Sequence, residues 1–314
     1  MVLTYPPCAN PEGCLKMSTE KLAFRVALNG ATMGTRYSVL FYSEAAEGHA
    51  DLGKALHAAV SDVDTVMSNW KSDSDLSRLN RAAPGIWLDV PESLITVLEA
   101  ALAVEKASHG AFDIGVAEAV AAWGFGPRAG DRPPMSPARR AITRDSLELD
   151  RANRRVRKHA PLGLDLCGIA KGYGVDRLGE VLSASGVTDW LVGIDGDMRG
   201  QGSKPDGQPW AVGLERPIRG HREIEGVIEL TDLAVATSGT YRHCRDIDGR
   251  AVSHTIDPAT GEPIGGKLAS VSVLAKTCMA ADAWATAVLV DGHWPPRRFV
   301  TPADIKVLVA GDTT

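Results

Sequence analysis

The segment from Leu164 to Asp176, LDLCGIAKGYGVD, combines residue types that suit anion binding. Its pattern predicts a short apolar strand ending at Asp165, a turn through Gly168, and a helix with Lys171 in its first turns. A glycine lets the backbone approach a phosphate closely, the free N–H groups at the start of a helix point toward it, and a lysine adds positive charge. The segment matches neither G-x-G-x-x-G nor G-x-x-x-x-G-K-[ST]. It indicates either a nucleotide-phosphate site of unusual form or an ordinary strand-to-helix turn with a solvated lysine.

A second candidate site lies in MAADAWATAVLV, from Met279 to Val290, which is apolar enough to form a buried helix. Asp282 and Thr286 are four positions apart, so their side chains share one face of that helix. A carboxylate in such a helix is costly to bury unless it is paired or bound to a cation. Mg²⁺, which prefers oxygen ligands and completes its shell with phosphate and water, would be a suitable partner. The alternative is a helix N-terminal charge that nearby backbone N–H groups satisfy.

Two further segments place polar residues beside turns. AVATSGTYR, at residues 234–242, predicts a strand that breaks at residues 237–239, whose hydroxyls either donate to a phosphate or cap a turn. SHTIDPATG, at residues 253–261, places His254 before a strand-like stretch and an Asp-Pro turn. A histidine in this setting is either a structural residue or a general base.

The elements that must position these residues alternate between helices and runs of strands. Helices are predicted at Ala50 to Met67, Asp75 to Asn80, Ser93 to Ser108, Lys171 to Ala184 and Met279 to Val290. Strands are predicted as a pair within Phe24 to Phe41, a hairpin at Leu147 to Val156, and single strands at Trp190 to Ile194, Trp210 to Leu214, Glu223 to Leu230 and Ile305 to Val309. Because several strands follow one another without helices between them, we expect an α+β fold with a mainly antiparallel sheet.

Composition narrows the class of protein. The 314 residues are 44% hydrophobic and 23% charged, which is typical of a soluble globular chain. The formal net charge of −5 argues against a nucleic-acid partner. The cysteines are odd in number and lack C-x-x-C spacing, so we expect reduced thiols at Cys8, Cys14, Cys167, Cys244 and Cys278.

The two ends of the sequence suggest one domain with a short extension. Residues 1–22 are polar, contain proline and predict a flexible leader, and residues 23–314 predict a single domain. No apolar run is long enough for a signal-peptide core or a membrane span. We therefore expect a cytoplasmic location without a membrane span, and the alternative is a periplasmic or membrane-associated location.

The ordered motifs together resemble the ApbE family of FAD:protein FMN transferases. The resemblance runs from Ala31 to Val290, and the motifs are TMGTRYSV, Trp70 before SDSDLSRLN, GAFDIGV with WGFGP, LDLCGIAKGYGVD, GIDGDMRGQG, ATSGTYR, SHTIDPATG and AADAWAT. Eight motifs in a fixed order are far more specific than any one of them. The family has a T-fold-like architecture, so the resemblance implies the same α+β class as the pattern of elements.

The resemblance also implies a chemistry and a set of residues. Family members bind FAD with Mg²⁺, cleave its pyrophosphate and attach FMN through a phosphoester to a threonine or serine hydroxyl of a flavoprotein, releasing AMP. The positions that match FAD-binding residues are Met33, Trp70, Ala111, Phe112, Asp113, Asp165, Lys171 and Ile256. The positions that match metal ligands are Gly168, through its carbonyl, and Asp282 and Thr286, through their side chains.

Three residues are candidates for the catalytic work. Lys171 and a metal held by Asp282 would neutralise the pyrophosphate and stabilise charge on the leaving AMP. His254 is a candidate base for the acceptor hydroxyl, although Asp282 or a metal-bound water could serve instead. Cys167 stands where many relatives have glycine, and we expect it to be a small packing residue.

Two other functions remain compatible with the sequence. The first is an FAD pyrophosphatase, in which water replaces the acceptor hydroxyl and the products are FMN and AMP. The second is a flavin-binding or flavin-delivery protein in which the metal motif only stabilises the fold. The combination of Asp282, Thr286 and Lys171 favours an enzyme, because binding alone does not require a metal at the scissile phosphates.

Overall fold

The computed structural model describes residues 23–127, 143–242, 244–247, 249–265 and 268–311. The expected leader at residues 1–22 lies outside them, and so do Cys8 and Cys14. The assignment of residues 23–314 to one domain stays a prediction. Among the described residues, no helix combines the length and apolar character that a membrane span requires. The expected cytoplasmic location also stays a prediction.

Most of the described helices lie where the sequence pattern predicts them, but the short helix at Thr143–Ser146 was not predicted. They are α1 (Ala50–Met67), α2 (Asp75–Arg81), α3 (Glu92–Ala107), α4 (Ala117–Ala122), α5 (Thr143–Ser146), α6 (Ala170–Ala184) and α7 (Cys278–Asp291). The first half of the chain contributes the strands β1 (Phe24–Thr32), β2 (Thr35–Ser43), β3 (Trp87–Asp89), β4 (Leu147–Asp150) and β5 (Arg155–Lys158). The second half contributes β6 (Trp190–Ile194), β7 (Asp197–Gln201), β8 (Trp210–Glu215), β9 (Ile224–Leu230), β10 (Leu233–Gly239), β11 (Cys244–Ile247), β12 (Arg250–Ser253), β13 (Ile256–Asp257), β14 (Glu262–Pro263), β15 (Leu268–Ala275) and β16 (Lys306–Gly311).

One seven-stranded sheet organises the molecule, in the order β1-β2-β6-β7-β10-β15-β16. Every pairing within it is antiparallel. A tight turn joins β1 to β2, in which Met33 and Gly34 both have positive φ, 46° and 72°. Two-residue turns of this kind match the right-handed twist of the strands they connect. The predicted α+β class with a mainly antiparallel sheet is confirmed.

The two faces of this sheet are buried by different elements. Because side chains alternate along a strand, Val192 of β6 faces the main core and Leu191 faces a smaller one. Helices α1, α3, α6 and α7 contribute to the main core. The β8–β9 hairpin covers the other face through Trp210 and Leu230. The smaller sheets are β3-β5-β4, β8-β9, β11-β12 and β13-β14.

Two local predictions are wrong. No strand ends at Asp165, since residues 161–166 have no ladder partner. Instead, the Asn80 side chain binds both backbone groups of Leu164, with its Oδ1 2.8 Å from the Leu164 N and its Nδ2 2.9 Å from the Leu164 O. The strand from Ala234 also does not break at Thr237, because β10 pairs with β15 as far as Gly239.

Candidate active site

A cleft of about 1370 Å³ opens at one end of the seven-stranded sheet. Its walls come from the β1–β2 turn, the first turn of α6, one face of α7, the β6–β7 turn and the end of β10. All twelve residues that the sequence predicts for the site line this cleft, namely Met33, Trp70, Ala111, Phe112, Asp113, Asp165, Gly168, Lys171, His254, Ile256, Asp282 and Thr286. Residues up to 253 positions apart in sequence are thereby brought together.

Helices α6 and α7 meet at the floor of the cleft in close backbone contact. A Cβ atom on Gly172 would lie 2.3 Å from the carbonyl oxygen of Cys278, so only glycine fits at this point. Asp176, one turn further along α6, accepts hydrogen bonds from the N–H groups of Cys278 and Met279, each at 2.9 Å. These contacts satisfy N–H groups at the start of α7 and fix its position against α6.

Asp282 lies one turn into α7 and is only 3% exposed. Its Oδ2 accepts a hydrogen bond from the Gly172 N–H at 3.0 Å. Burial, together with the negative charge of Asp197, raises the pKa of the Asp282 carboxyl to about 7, although Lys171 and the Gly172 N–H favour its ionised form. A cation beside the carboxylate would oppose this effect.

Residues from three segments line the cleft together with Asp282. Thr286 follows one turn later on α7, and its Oγ1 is 3.1 Å from the Ser238 Oγ at the end of β10. Gly168 lies against Thr286, because a Cβ atom on Gly168 would be 3.1 Å from the Thr286 Oγ1. A carboxylate, a hydroxyl and a carbonyl suit a hard cation such as Mg²⁺.

This donor set is incomplete without other ligands. No group of three or more His, Cys, Asp or Glu side chains in the described ranges could hold a metal ion. With one carboxylate, the site matches Mg²⁺ sites in which water and substrate phosphates complete the coordination shell. The residues present therefore fit a magnesium ion that binds together with a phosphate-bearing substrate.

Lys171 lies in the first turn of α6 with its ammonium group in the cleft. Its Nζ is 2.7 Å from the Oδ2 of Asp197, the first residue of β7. Burial opposes the lysine charge, but the carboxylates of Asp197 and Asp282 outweigh burial and raise the pKa of Lys171 above its usual value. The lysine side chain is 29% exposed, so it remains accessible to a ligand. A permanent positive charge thus faces the cleft beside Asp282.

The loop before α6 presents Asp165 to the cleft. Its Oδ1 accepts a hydrogen bond from the Cys167 N–H at 2.8 Å. The Cys167 side chain is exposed, so the expectation of a packing residue is wrong. The negative charge of Asp165 raises the pKa of the Cys167 thiol, which disfavours the reactive thiolate. Cys167, Cys244 and Cys278 are all free thiols, as predicted.

A second wall of the cleft carries His254. The Phe125 ring meets the His254 ring edge-on, with centroids 6.3 Å apart and an angle of 68° between the planes. The Trp123 Nε1 donates to the Gly261 carbonyl at 2.9 Å, and Arg245 donates to the Gly124 carbonyl. The WGFGP loop is therefore bound both to the SHTIDPATG segment and to β11.

The remaining predicted residues differ in how far they reach into the cleft. Trp70 is 70% exposed on a loop whose backbone is held by the Ser68 hydroxyl. Ala111 and Phe112 are buried residues in the wall of the cleft. Asp113 accepts hydrogen bonds from the Thr143 hydroxyl at 2.5 Å and the Gly115 N–H at 2.7 Å, which orders its own loop.

Two residues with a part in the site were missed by the sequence analysis, and a third, Ser238, was predicted only as a possible phosphate donor or turn cap. Asp197 pairs with Lys171, Ser238 contacts Thr286, and Asn80 holds the loop before Asp165. Asp197 lies in the motif GIDGDMRGQG, to which the sequence analysis assigned no role in the site. The signal that could have identified Asp197 is a second acid in a segment between two apolar strands, where a charge needs a partner.

Known proteins resemble this chain along most of its length. The model of the ApbE family matches residues 33–309. FAD:protein FMN transferases of Vibrio cholerae and Klebsiella pneumoniae are 38% and 34% identical, covering 87% and 96% of this chain and 84% and 89% of their own lengths. Among solved structures, the flavin transferase ApbE from Vibrio cholerae superposes with a TM-score of 0.80 at 34% identity, covering 93% of this chain and 95% of that chain.

A second solved structure also has a similar fold. The apo form of the Pseudomonas stutzeri flavinyl transferase ApbE gives a TM-score of 0.76 at 33% identity and covers 86% of both chains. The likeness in sequence and in structure extends over both walls of the cleft. The chain therefore belongs to the ApbE family.

Proposed function

We propose that this protein is a Mg²⁺-dependent FAD:protein FMN transferase. It transfers the FMN half of FAD to a threonine or serine hydroxyl of a flavoprotein and releases AMP. The observation that supports this most directly is the convergence of Asp282, Thr286 and Lys171 in one large cleft. The names of the relatives at 38% and 34% identity support the same activity.

In this proposal three oxygen donors would hold a magnesium ion. They are the Asp282 carboxylate, the Thr286 hydroxyl and the Gly168 carbonyl. When bound, the ion neutralises the pyrophosphate and stabilises negative charge on the leaving group. Lys171 adds a second positive charge to the phosphates, and its ammonium group has further N–H donors besides the one that meets Asp197.

The group transfer makes and breaks one bond at the same phosphorus. The acceptor hydroxyl oxygen forms a bond to the FMN phosphorus, and the bond from that phosphorus to the bridging pyrophosphate oxygen breaks. AMP leaves with the electron pair of the broken bond. His254 accepts the hydroxyl proton, because a hydroxyl is a poor nucleophile until a base removes its proton.

The other predicted residues hold FAD in place. Trp70 and Met33 offer an exposed indole ring and a thioether to flat ring systems. Asp165 presents a carboxylate to hydroxyl or N–H donors of the dinucleotide. The rest of the binding surface is formed by Ala111, Phe112 and Asp113 and, on the opposite wall, by Ile256.

The proposal is tested by intact mass spectrometry of a flavoprotein acceptor incubated with this protein, FAD and Mg²⁺. A chelator control and the Asp282→Asn variant run in parallel, and AMP is assayed in each reaction. We expect a metal-dependent mass gain of one FMN phosphoryl group and an equal amount of AMP. Release of FMN and AMP without any mass gain, over a panel of acceptors, would identify a pyrophosphatase instead. No AMP in any reaction would leave a flavin-binding protein.

A further inference from the structure

The ammonium group of Lys171 binds the buried carboxylate of Asp197, which has a fixed orientation. Asp197 is 2% exposed and follows the β6–β7 turn, in which Asp195 and Gly196 both have positive φ. One of its oxygens, Oδ2, meets the Lys171 Nζ at 2.7 Å. The other, Oδ1, accepts a hydrogen bond from the Thr237 N–H of β10 at 3.1 Å.

The second contact explains why the carboxylate cannot rotate freely. The backbone pairing of β7 with β10 runs only as far as Met198 and Val235. Beyond that pair, the Asp197 side chain takes the place of a backbone acceptor and binds the Thr237 N–H. A carboxylate with both oxygens engaged in this way is restricted to one rotamer.

A lysine side chain is flexible, and the position of its charge decides how well it stabilises a developing charge. Four rotatable bonds separate the Lys171 backbone from its ammonium group. One N–H donor of the ammonium is used by Asp197, and the other donors remain available to phosphate oxygens. Restricting the ammonium before the substrate arrives removes an entropic cost from the reaction.

We infer that Asp197 is a positioning residue for the phosphoryl transfer, acting through Lys171, and that the link from Asp197 to Thr237 orients this pair. Asp197 itself does not contact the reacting atoms. The inference rests on the proposed function, because it assigns Lys171 to the pyrophosphate. It gives a role to Asp197, for which neither the family resemblance nor a metal-ligand pattern predicted one.

The test is a double-mutant cycle with Asp197→Asn, Lys171→Ala and the double variant. Asparagine keeps the shape of aspartate, but its amide offers only one acceptor oxygen, so it cannot serve both Lys171 and Thr237. For Asp197→Asn we expect kcat for FMN transfer to fall about 10- to 100-fold. The dissociation constant for FAD, measured by flavin fluorescence, should change less than about threefold, because most FAD contacts are unaffected.

The double variant distinguishes positioning from a general structural role. If Asp197 acts through Lys171, the double variant is no slower than Lys171→Ala, since residues that act as a unit have non-additive effects. A double variant slower than Lys171→Ala by the full factor of Asp197→Asn would overturn the inference. Wild-type kcat in Asp197→Asn would overturn it as well.

Two further variants test whether a loss of activity is caused by loss of the fold. Asp197→Glu keeps the charge but displaces the ammonium, so we expect reduced kcat in a variant that still unfolds cooperatively, and wild-type kcat in this folded variant contradicts the inference. Asp232→Asn is the matched control, because Asp232 also accepts a backbone N–H, from Gly202 at 2.9 Å, but lies outside the cleft. Its kcat should equal that of the wild type.

The same experiment separates this inference from the proposed function. If the wild-type protein neither transfers FMN nor releases AMP, the proposed function fails. If the wild type is active and the Asp197 variants match it, only the positioning role fails. The activity of the wild type therefore tests the proposed function, and the activity of the Asp197 variants tests the positioning role.

Discussion

Asp282 introduces a carboxylate into a helix that is otherwise almost entirely apolar. One of its oxygens has a hydrogen-bond donor, the Gly172 N–H, and the residue lines the cleft. Substitution to asparagine keeps that acceptor and the side-chain volume but removes the charge. For Asp282→Asn we expect FMN transfer to fall at least about 100-fold, because the metal is a major source of charge stabilisation.

The Tm of this variant, measured with and without metal, shows whether it folds and whether it binds Mg²⁺. The Tm of Asp282→Asn without metal should equal or exceed that of the wild type, since a buried carboxyl is replaced by a neutral amide. The wild type should gain Tm when Mg²⁺ and AMP are added together, and Asp282→Asn should not. Full transfer activity in the variant would remove Asp282 from the metal site.

The raised pKa of Asp282 predicts a pH dependence for the same metal response. Without metal, the carboxyl is protonated below its pKa of about 7 and ionised above it. A metal ion must displace that proton, so its affinity increases as the pH rises through this range. We expect the increase in Tm caused by Mg²⁺ and AMP to be larger at pH 8 than at pH 6, measured by differential scanning fluorimetry. An equal increase at both values would contradict the assignment.

His254 is predicted to act only on the acceptor hydroxyl. The variant His254→Ala should therefore lose transfer, by about 100- to 10,000-fold for a general base, while it still binds FAD. The matched control is His159→Ala, since His159 pairs with Glu148 at 2.8 Å outside the cleft. Equal transfer rates in His254→Ala and the wild type would exclude the histidine as the base.

At the scale of elements, the contact between α6 and α7 brings Lys171 and Asp282 together. Gly172→Ala would place a Cβ atom 2.3 Å from the Cys278 carbonyl oxygen, which is part of the backbone and cannot move aside alone. We expect a loss of about 1–3 kcal/mol in unfolding free energy and a larger relative loss of activity. Chemical denaturation and the transfer assay measure the two effects.

A second helical glycine provides the control for this substitution. A Cβ atom on Gly53, in α1, would meet no heavy atom within 4 Å. Gly53→Ala should therefore stabilise the protein by roughly 0.5–1 kcal/mol through the unfolded chain. If both variants behaved alike, the close contact between α6 and α7 would not matter for stability.

The elements could be predicted from the sequence where one local pattern decides them. The periodicity of α1 and the apolar run of α7 gave bounds within a few residues of those observed. The strand predicted to end at Asp165 was wrong because a side chain from far away in sequence, Asn80, satisfies that backbone. The continuation of β10 past Thr237 likewise depends on its partner β15. Contacts of this range leave no signal in a local window.

At the scale of the molecule, the site depends on contacts that no single element contains. All twelve predicted residues line one cleft, because a resemblance that runs from Ala31 to Val290 carries the topology with it. The pairing of Asp197 with Lys171 and the contact of Ser238 with Thr286 escaped prediction because the partners lie 26 and 48 positions apart. Their importance is visible only once β7 and β10 lie side by side.

The cleft is bounded by elements from both faces of the central sheet, so FAD should stabilise the molecule as a whole. At a concentration 100 times its dissociation constant, a ligand adds roughly 2.7 kcal/mol to the unfolding free energy. We expect FAD with Mg²⁺ to raise the Tm by several degrees. Trp70→Ala should reduce this increase without changing the Tm of the ligand-free protein, because the indole is 70% exposed and stabilises little on its own.

The matched control is Ile224→Ala, which removes a side chain that is 68% exposed and lies outside the cleft. This variant should keep both the ligand-free Tm and the full increase with FAD. If Trp70→Ala kept the full increase in Tm as well, the indole would not contact the flavin. The exposed indole would then be expected to bind a different ligand. The acceptor protein would then be the first ligand to test, since a large exposed aromatic at the edge of a cleft suits a protein surface.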